Sequence, residues 1–294
     1  MKSTPKKEYE PEVLKAIQQT ELSILKDFVK VCDAHGLVYF GVGGTTIGAV
    51  RHKGFIPWDD DIDIAMPRED YEKLLVIFEE EYADKYRIVN TEHYETFPLM
   101  TTRICLKGTR FKEYALKDIK APLGIFLDLY AYDKVSDNPR KAKKQAWDAW
   151  FWSKILILRS IADPVLPVSG FRAALIRLAC RMAHAVLSGL HVSRLKIYQK
   201  AYEATTRYNH EKHTKKWNYI CDTSPYISTY YVEDIFPLQK LPFEDMELNF
   251  PKNYGRNLRG MFGDYMQLPP EDKRKSHYPY ELKLPNDKKI RRGC

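Results

Sequence analysis

The sequence predicts an α/β (α+β) protein, with a mixed sheet core in its first half and a helical, basic second half. Two observations carry this reading. Apolar segments with strand-like and helix-like periods interleave as far as about Asn138, and beyond it Arg140, Lys141, Lys143 and Lys144 open a long aromatic-rich helical stretch. Internal repeats and low-complexity tracts are absent from the sequence.

Val13, Ile17, Ile24, Phe28 and Val31 recur at helical spacing, so residues 11–35 form an amphipathic helix, with Gly36 just past its end. Leu37 to Val42 reads as a buried strand running into the turn Gly43-Gly44-Thr45-Thr46, followed by a short helix or turn over 49–53. Asp61 to Met66 alternates like a second strand. Pro67, Glu69 and Asp70 suit the first turn of a helix reaching about Tyr82. Further strands are expected at 86–90, 101–106 and 125–132, then helices from about 138, up to Gly189, over 191–216 and over 254–262. The implied organisation is a catalytic core at 1–137, a helical insertion at 138–216 facing an acceptor or a membrane, and a C-terminal region at 217–294 packing on the core.

With 294 residues and 44% hydrophobic content the chain is large enough for a substantial core. Forty-seven Lys and Arg against 39 Asp and Glu give a net charge of +8, which favours an anionic partner without choosing among nucleotide, nucleic acid, membrane surface and phosphate-rich polymer. Five cysteines with no CxxC pair read as free thiols of a reducing compartment. His210, His213 and Cys221 fit no standard zinc spacing, and no structural zinc is expected. No leader-like apolar stretch and no run of about 20 apolar residues is seen. The expectation is a cytoplasmic protein, peripheral at the inner face of the plasma membrane if it touches one. The mixed aromatic, aliphatic and cationic segment 150–159, with the basic cluster 140–144, is the candidate membrane contact.

The chemistry concentrates in Trp58-Asp59-Asp60-Asp61-Ile62-Asp63-Ile64. Period-two alternation puts Asp59, Asp61 and Asp63 on one face with Ile62 and Ile64 turned to the core. Gathered carboxylates repel unless a cation neutralises them, and hard oxygen donors suit Mg²⁺ or Mn²⁺. On the pattern alone, an acidic turn explains the run equally well. Gly43 and Gly44, with Thr45 and Thr46, let a backbone approach phosphate, yet the segment is neither a P-loop nor a dinucleotide fingerprint. Asp128 stands in an apolar strand and needs a metal, water or a cation such as Arg103. Arg51, His52 and Lys53 are candidates for holding diphosphate oxygens, and Trp58 and Tyr130 are candidate aromatic partners for a cationic group.

The segment from Gly43 through Arg68, including Gly54-Phe55-Ile56-Pro57-Trp58 and the aspartates, closely resembles the signature of the LicD family. Phe262-Gly263-Asp264-Tyr265-Met266-Gln267-Leu268-Pro269-Pro270 with Arg274 and His277 resembles its C-terminal signature. The resemblance brackets residues from about 22 to 277, although 138–215 matches nothing quotable. The glycine segment reads Gly-Gly-Thr-Thr-Ile-Gly where a Gly-Thr-Leu-Leu-Gly type is commoner.

The resemblance implies a nucleotidyltransferase-like fold and transfer of phosphocholine from CDP-choline to a sugar hydroxyl of a lipid-linked teichoic acid or lipopolysaccharide precursor. Phosphoethanolamine, ribitol phosphate and glycerol phosphate are the alternative groups. Asp61, Asp63 and Asp128 are then catalytic, and these three with Asp59 are the expected ligands of Mg²⁺ or Mn²⁺. Tyr265, Arg274 and His277 join the substrate-binding candidates, beside a covering role for their block. A nucleotidyltransferase using free nucleoside triphosphate and a non-enzymatic basic binding module are the rival classes, and nucleic acid is not an expected substrate.

Overall fold

The structure is a computed structural model that describes residues 9–164, 166, 170–274 and 276–292. Cys294, the residues before Tyr9 and part of the break between Asp163 and Gly170 lie outside these. Eight α-helices, a curled seven-stranded mixed sheet and two smaller antiparallel sheets make up the fold of the described residues.

Helix α1 (Pro11–His35) starts on a proline, whose missing N–H costs nothing in a first turn, and stops at Gly36 in the left-handed region at φ 62°. Its predicted stripe is buried from Ile17 onward, with Ile17, Ile24 and Phe28 fully inaccessible and Val13 half-buried. Strand β1 is only Phe40–Gly41, shorter than the sequence suggests. The chain turns at once into α2 (Gly43–His52), so the glycine pair is the start of a helix and not a turn after a strand. Strand β2 (Asp63–Pro67) leads straight into α3 (Arg68–Glu81). Strands β3 (Tyr86–Val89), β4 (Thr102–Leu106), β5 (Arg110–Glu113) and β6 (Phe126–Val135) follow.

Asn138 accepts the amides of Arg140 and Lys141 at 3.0 and 3.2 Å and so caps α4 (Pro139–Ser160). Helices α5 (Gly170–Gly189) and α6 (Arg194–Thr206) come next. The helical reading of 191–216 overshoots: α6 ends at Thr206, and Asn209 and Glu211 are instead tied to Lys134, whose Nζ donates to both carbonyls at 3.0 and 2.9 Å. The remainder comprises β7 (Lys216–Asn218), β8 (Thr229–Tyr231), α7 (Val232–Ile235), the hairpin β9 (Gln239–Phe243) and β10 (Met246–Phe250), α8 (Tyr254–Phe262), β11 (Pro279–Lys283) and β12 (Arg291–Arg292).

The main sheet runs β1-β2-β6-β4-β3, with β7 added beside the distal half of β6 and β8 beside β7. Among the described residues only the β2–β6 pair is parallel, and its register sets Asp63 opposite Asp128. One face carries Ile64, Met66, Leu127 and Leu129 into a large core with α1 and α3. The other carries Phe40, Ala65 and Tyr132 into a smaller core with α4, α6 and the segment around Tyr219 and Tyr230. Asp63 and Asp128 share register with residues of this second face, at the end of the sheet where β2 begins.

Candidate active site

Strand pairing brings three charged groups side by side. Asp128 lies opposite Asp63 on β2 and opposite Arg103 on β4. Most of the aspartate run precedes β2, which begins only at Asp63, yet the alternation holds: Asp59, Asp61 and Asp63 are partly accessible, whereas Asp60, Ile62 and Ile64 are fully buried. Asp60 is an anchor. It accepts the Tyr9 hydroxyl and, at 2.8 Å, the backbone N–H of His277, so chain segments more than 200 residues apart are tied beneath the site. The ring of His277 reaches over to Asp61 at 3.1 Å.

Helix α2 begins immediately beside these carboxylates. Gly43 adopts φ 54°, and a Cβ on Gly44 would stand 2.8 Å from Asp59 Oδ2, so side chains there would displace the carboxylates. No side chain caps α2, which leaves its first-turn amides as donors of the kind that receive anions. Thr45 and Thr46 are committed to the scaffold: the Thr45 hydroxyl accepts the Asp63 amide at 2.8 Å and the Thr46 hydroxyl donates to the Gly41 carbonyl at 2.9 Å.

The electrostatics are unbalanced. Burial, with repulsion from Asp61, Asp128 and Asp59, raises the Asp63 carboxyl well above the usual range. Burial, Asp61 and Asp60 do the same to Asp59. At Asp61 burial also pushes upward, but the His277 imidazole, Arg103 and a hydrogen bond from Asp59 outweigh it and the net direction is down. Asp128 rises to about 6 because burial and the nearby acids exceed the pull of Arg103. Burial lowers His277, but Asp61 and Asp60 overcome it and hold the imidazolium well above its ordinary value. Asp63 Oδ1 is buried without a hydrogen-bond partner.

Other predicted residues have different partners. Arg103 is buried, pairs with Asp128 at 3.3 Å and Glu113 at 2.9 Å, and lies 3.8 Å over the Phe126 ring. Arg51 donates to the carbonyls of Tyr265 and Gln267 at 2.8 and 3.3 Å, fastening the C-terminal block to α2. His52 and Trp58 meet edge to face at 6.4 Å, Arg274 covers Trp58 at 4.5 Å, and Tyr265 packs on the Ile47–Leu258 cluster. Lys53 is exposed, in the left-handed region at φ 59°. A cavity of about 530 Å³ lies at the opposite end of β2 and β6, lined by Pro67, Arg68, Tyr132 and Trp217 among others.

Two neighbours escaped the sequence reading. Glu21 is fully buried, neither of its oxygens has a partner, and its carboxyl is pushed up by burial and by Asp61, Asp60 and Asp59. The signal was available, because Glu21 interrupts the apolar stripe Ile17, Ile24, Phe28. Tyr219 meets Tyr130 edge to face at 4.9 Å, and both rings feel the charge of Asp128. That contact depends on the distal strands and leaves no local sequence signal.

The donor chemistry fits a hard divalent cation: clustered carboxylates, one orphaned oxygen and mutual repulsion in want of a positive charge. Among the described residues no three His, Cys, Asp or Glu side chains by themselves form a group able to hold a metal ion. A Mg²⁺ site normally needs only one or two carboxylates, with substrate phosphates and water completing it.

The site is thus a set of acidic residues gathered beside the start of a glycine-led helix at one end of a mixed sheet. Residues 36–155 match the family described as LicD/FKTN/FKRP, nucleotidyltransferase domain, so the protein carries a LicD-family domain. Over 280 residues, 88% of this chain and 94% of the relative, it is 28% identical to the lipopolysaccharide cholinephosphotransferase LicD of Haemophilus influenzae. Uncharacterized proteins of Rickettsia prowazekii and Rickettsia typhi are each 43% identical over 47 residues, 16% of this chain and 18% and 15% of theirs.

Proposed function

We propose that this protein is a metal-dependent phosphotransferase that moves phosphocholine from CDP-choline to a sugar hydroxyl of a cell-surface glycan precursor of lipopolysaccharide or teichoic acid type. The observation that carries the reading is the gathering of Asp59, Asp61, Asp63 and Asp128 at the start of α2 in a chain similar along most of its length to a cholinephosphotransferase.

Asp61 and Asp63, with Asp59 and Asp128 beside them, would hold Mg²⁺ or Mn²⁺, which when bound offsets negative charge on the diphosphate. The uncapped amides of α2 receive a phosphate oxygen. The acceptor hydroxyl oxygen bonds to the choline-bearing phosphorus, the bond from that phosphorus to the CMP oxygen breaks, and CMP leaves with the electron pair. Asp128, whose carboxyl burial and the nearby acids push upward, takes the hydroxyl proton, a contribution of roughly 10²–10⁴-fold. Tyr130 and Tyr219, beside Asp63 and Asp128, offer the aromatic faces and negative field that a quaternary ammonium requires.

The test is a parallel assay of CDP-choline, CDP-ethanolamine, CDP-ribitol, CDP-glycerol and CTP, each with Mg²⁺. CMP release from CDP-choline above the rest is expected. Preference for another CDP donor moves the transferred group, and pyrophosphate release from CTP replaces the reading with nucleotidyl transfer.

A further inference from the structure

Helix α5 is built inside out for a protein surrounded by water. Phe171, Leu175, Leu178, Met182, Val186 and Leu190 follow i, i+4, i+7, i+11, i+15 and i+19, the spacing of a single helical stripe. That stripe faces solvent: the six are 79, 53, 57, 61, 59 and 71% exposed, and Ala173 is the one buried residue of the helix. Residues at other angles make the inward contacts. His184 reaches the Leu158 carbonyl at 2.8 Å, and Ser188 receives Arg159 at 3.2 Å.

The charge of the helix selects the occupant. It carries Arg172, Arg177 and Arg181 and no Asp or Glu. Asp163, paired with Arg177 and Arg181 at 3.7 and 2.8 Å, offsets only part of this, and the chain as a whole is at +8. An apolar stripe flanked by arginine matches the boundary of an anionic bilayer, where acyl chains meet negative headgroups. Spanning is a poorer match. No single helix among the described residues is long and apolar enough to cross, and the bent pair of α5 with α6 would need α6, whose Ile197, Tyr198 and Ala201 are buried within the protein. The segment 150–159, the sequence-based candidate, is less free: Ser153 and Leu156 are buried, Phe151 alone is exposed, and Lys154 and Arg159 donate to the backbone carbonyls of Asp222 and Val192.

We infer that α5 is a membrane-docking helix, lying in the interface of an anionic lipid bilayer with Phe171 to Leu190 immersed. The inference stands on this surface and not on the proposed reaction, which it would supply with a lipid-linked acceptor.

The test is co-sedimentation of the full chain with phosphatidylglycerol–phosphatidylcholine vesicles and with phosphatidylcholine vesicles, in the absence of donor and acceptor. The Leu175→Glu/Leu178→Glu variant and, separately, Arg172→Glu are compared with wild type. Circular dichroism and the melting temperature verify folding, and analytical ultracentrifugation gives the oligomeric state. Binding to anionic vesicles is expected to fall about tenfold or more in the double variant, to weaken in Arg172→Glu, and to decline with salt. Absence of wild-type binding, or equal binding by a folded double variant, overturns the inference. So does a wild-type dimer that the double variant dissociates while vesicles bind neither, which would assign the stripe to a second copy of the chain. CMP release in detergent-free solution reports on the reaction independently of all these outcomes.

Discussion

Strand β6 carries two aspartates five residues apart, each beside an arginine, and they behave oppositely. Asp133 accepts Arg68 through two bonds of 2.9 and 2.7 Å and the Asn209 amide at 2.6 Å, while the Arg68 guanidinium lies 5.2 Å from the centres of the Tyr71 and Tyr202 rings. Its charge is matched and its oxygens are filled. Asp128 meets Arg103 only at 3.3 and 3.5 Å, shares it with Glu113, and stands opposite Asp63. The same pair of residue types thus makes a scaffold ion pair at one end of the strand and an electrostatically unsatisfied cluster at the other. An aspartate in an apolar strand is therefore no sign of function until its neighbours are counted.

Breaking the satisfied end should have the largest effect on stability. Asp133→Ala leaves Arg68 buried without its counter-ion and is expected to cost about 3–5 kcal/mol in urea unfolding. The unsatisfied end should respond the other way. Asp63→Asn removes one of the mutually repelling carboxylates, so stability is expected to hold or rise while CMP release falls by about 10²-fold or more. Asp128→Asn should lower the rate of CMP release by a smaller factor, read as kcat at saturating Mg²⁺.

The smallest effect should come from His277. Its pKa is raised in the fold, so its contribution to stability is complete below the unfolded value of about 6.5 and is lost as pH rises through the higher folded value. The ring is half exposed, and His277→Gln is expected to cost only about 0.2–1 kcal/mol at pH 6, in the range of screened ion pairs. Denaturant titrations of variant and wild type at increasing pH should converge.

Much of this was legible before the fold was known, where the relevant physics is local. Helix α1, its glycine stop and the start of a long helix near Asn138 follow from periodicity and backbone preference. The exposure of Asp59, Asp61 and Asp63 against Asp60 follows from alternation even though the strand begins only at Asp63. What stayed hidden depends on distant pairing. Polar Arg110–Glu113 becomes β5 because β11 pairs with it from some 170 residues away. The anchoring role of Asp60 has no local signal because Tyr9 and His277, its partners, lie at opposite ends of the chain. The short β1 and the start of α2 at Gly43 reflect a helix that begins where glycines allow the carboxylates of Asp59 and Asp63 close to its backbone.

The central claim is that the cluster around Asp63 is a site of phosphoryl chemistry and not a scaffold. Its most direct test is CMP release from CDP-choline with Mg²⁺ by wild type and by Asp63→Asn, with the unfolding midpoint measured on the same samples. The account predicts a variant at least as stable as wild type whose CMP release has collapsed and is not restored by more Mg²⁺. Full CMP release by the variant, or a loss of activity that only tracks a loss of stability, would contradict it.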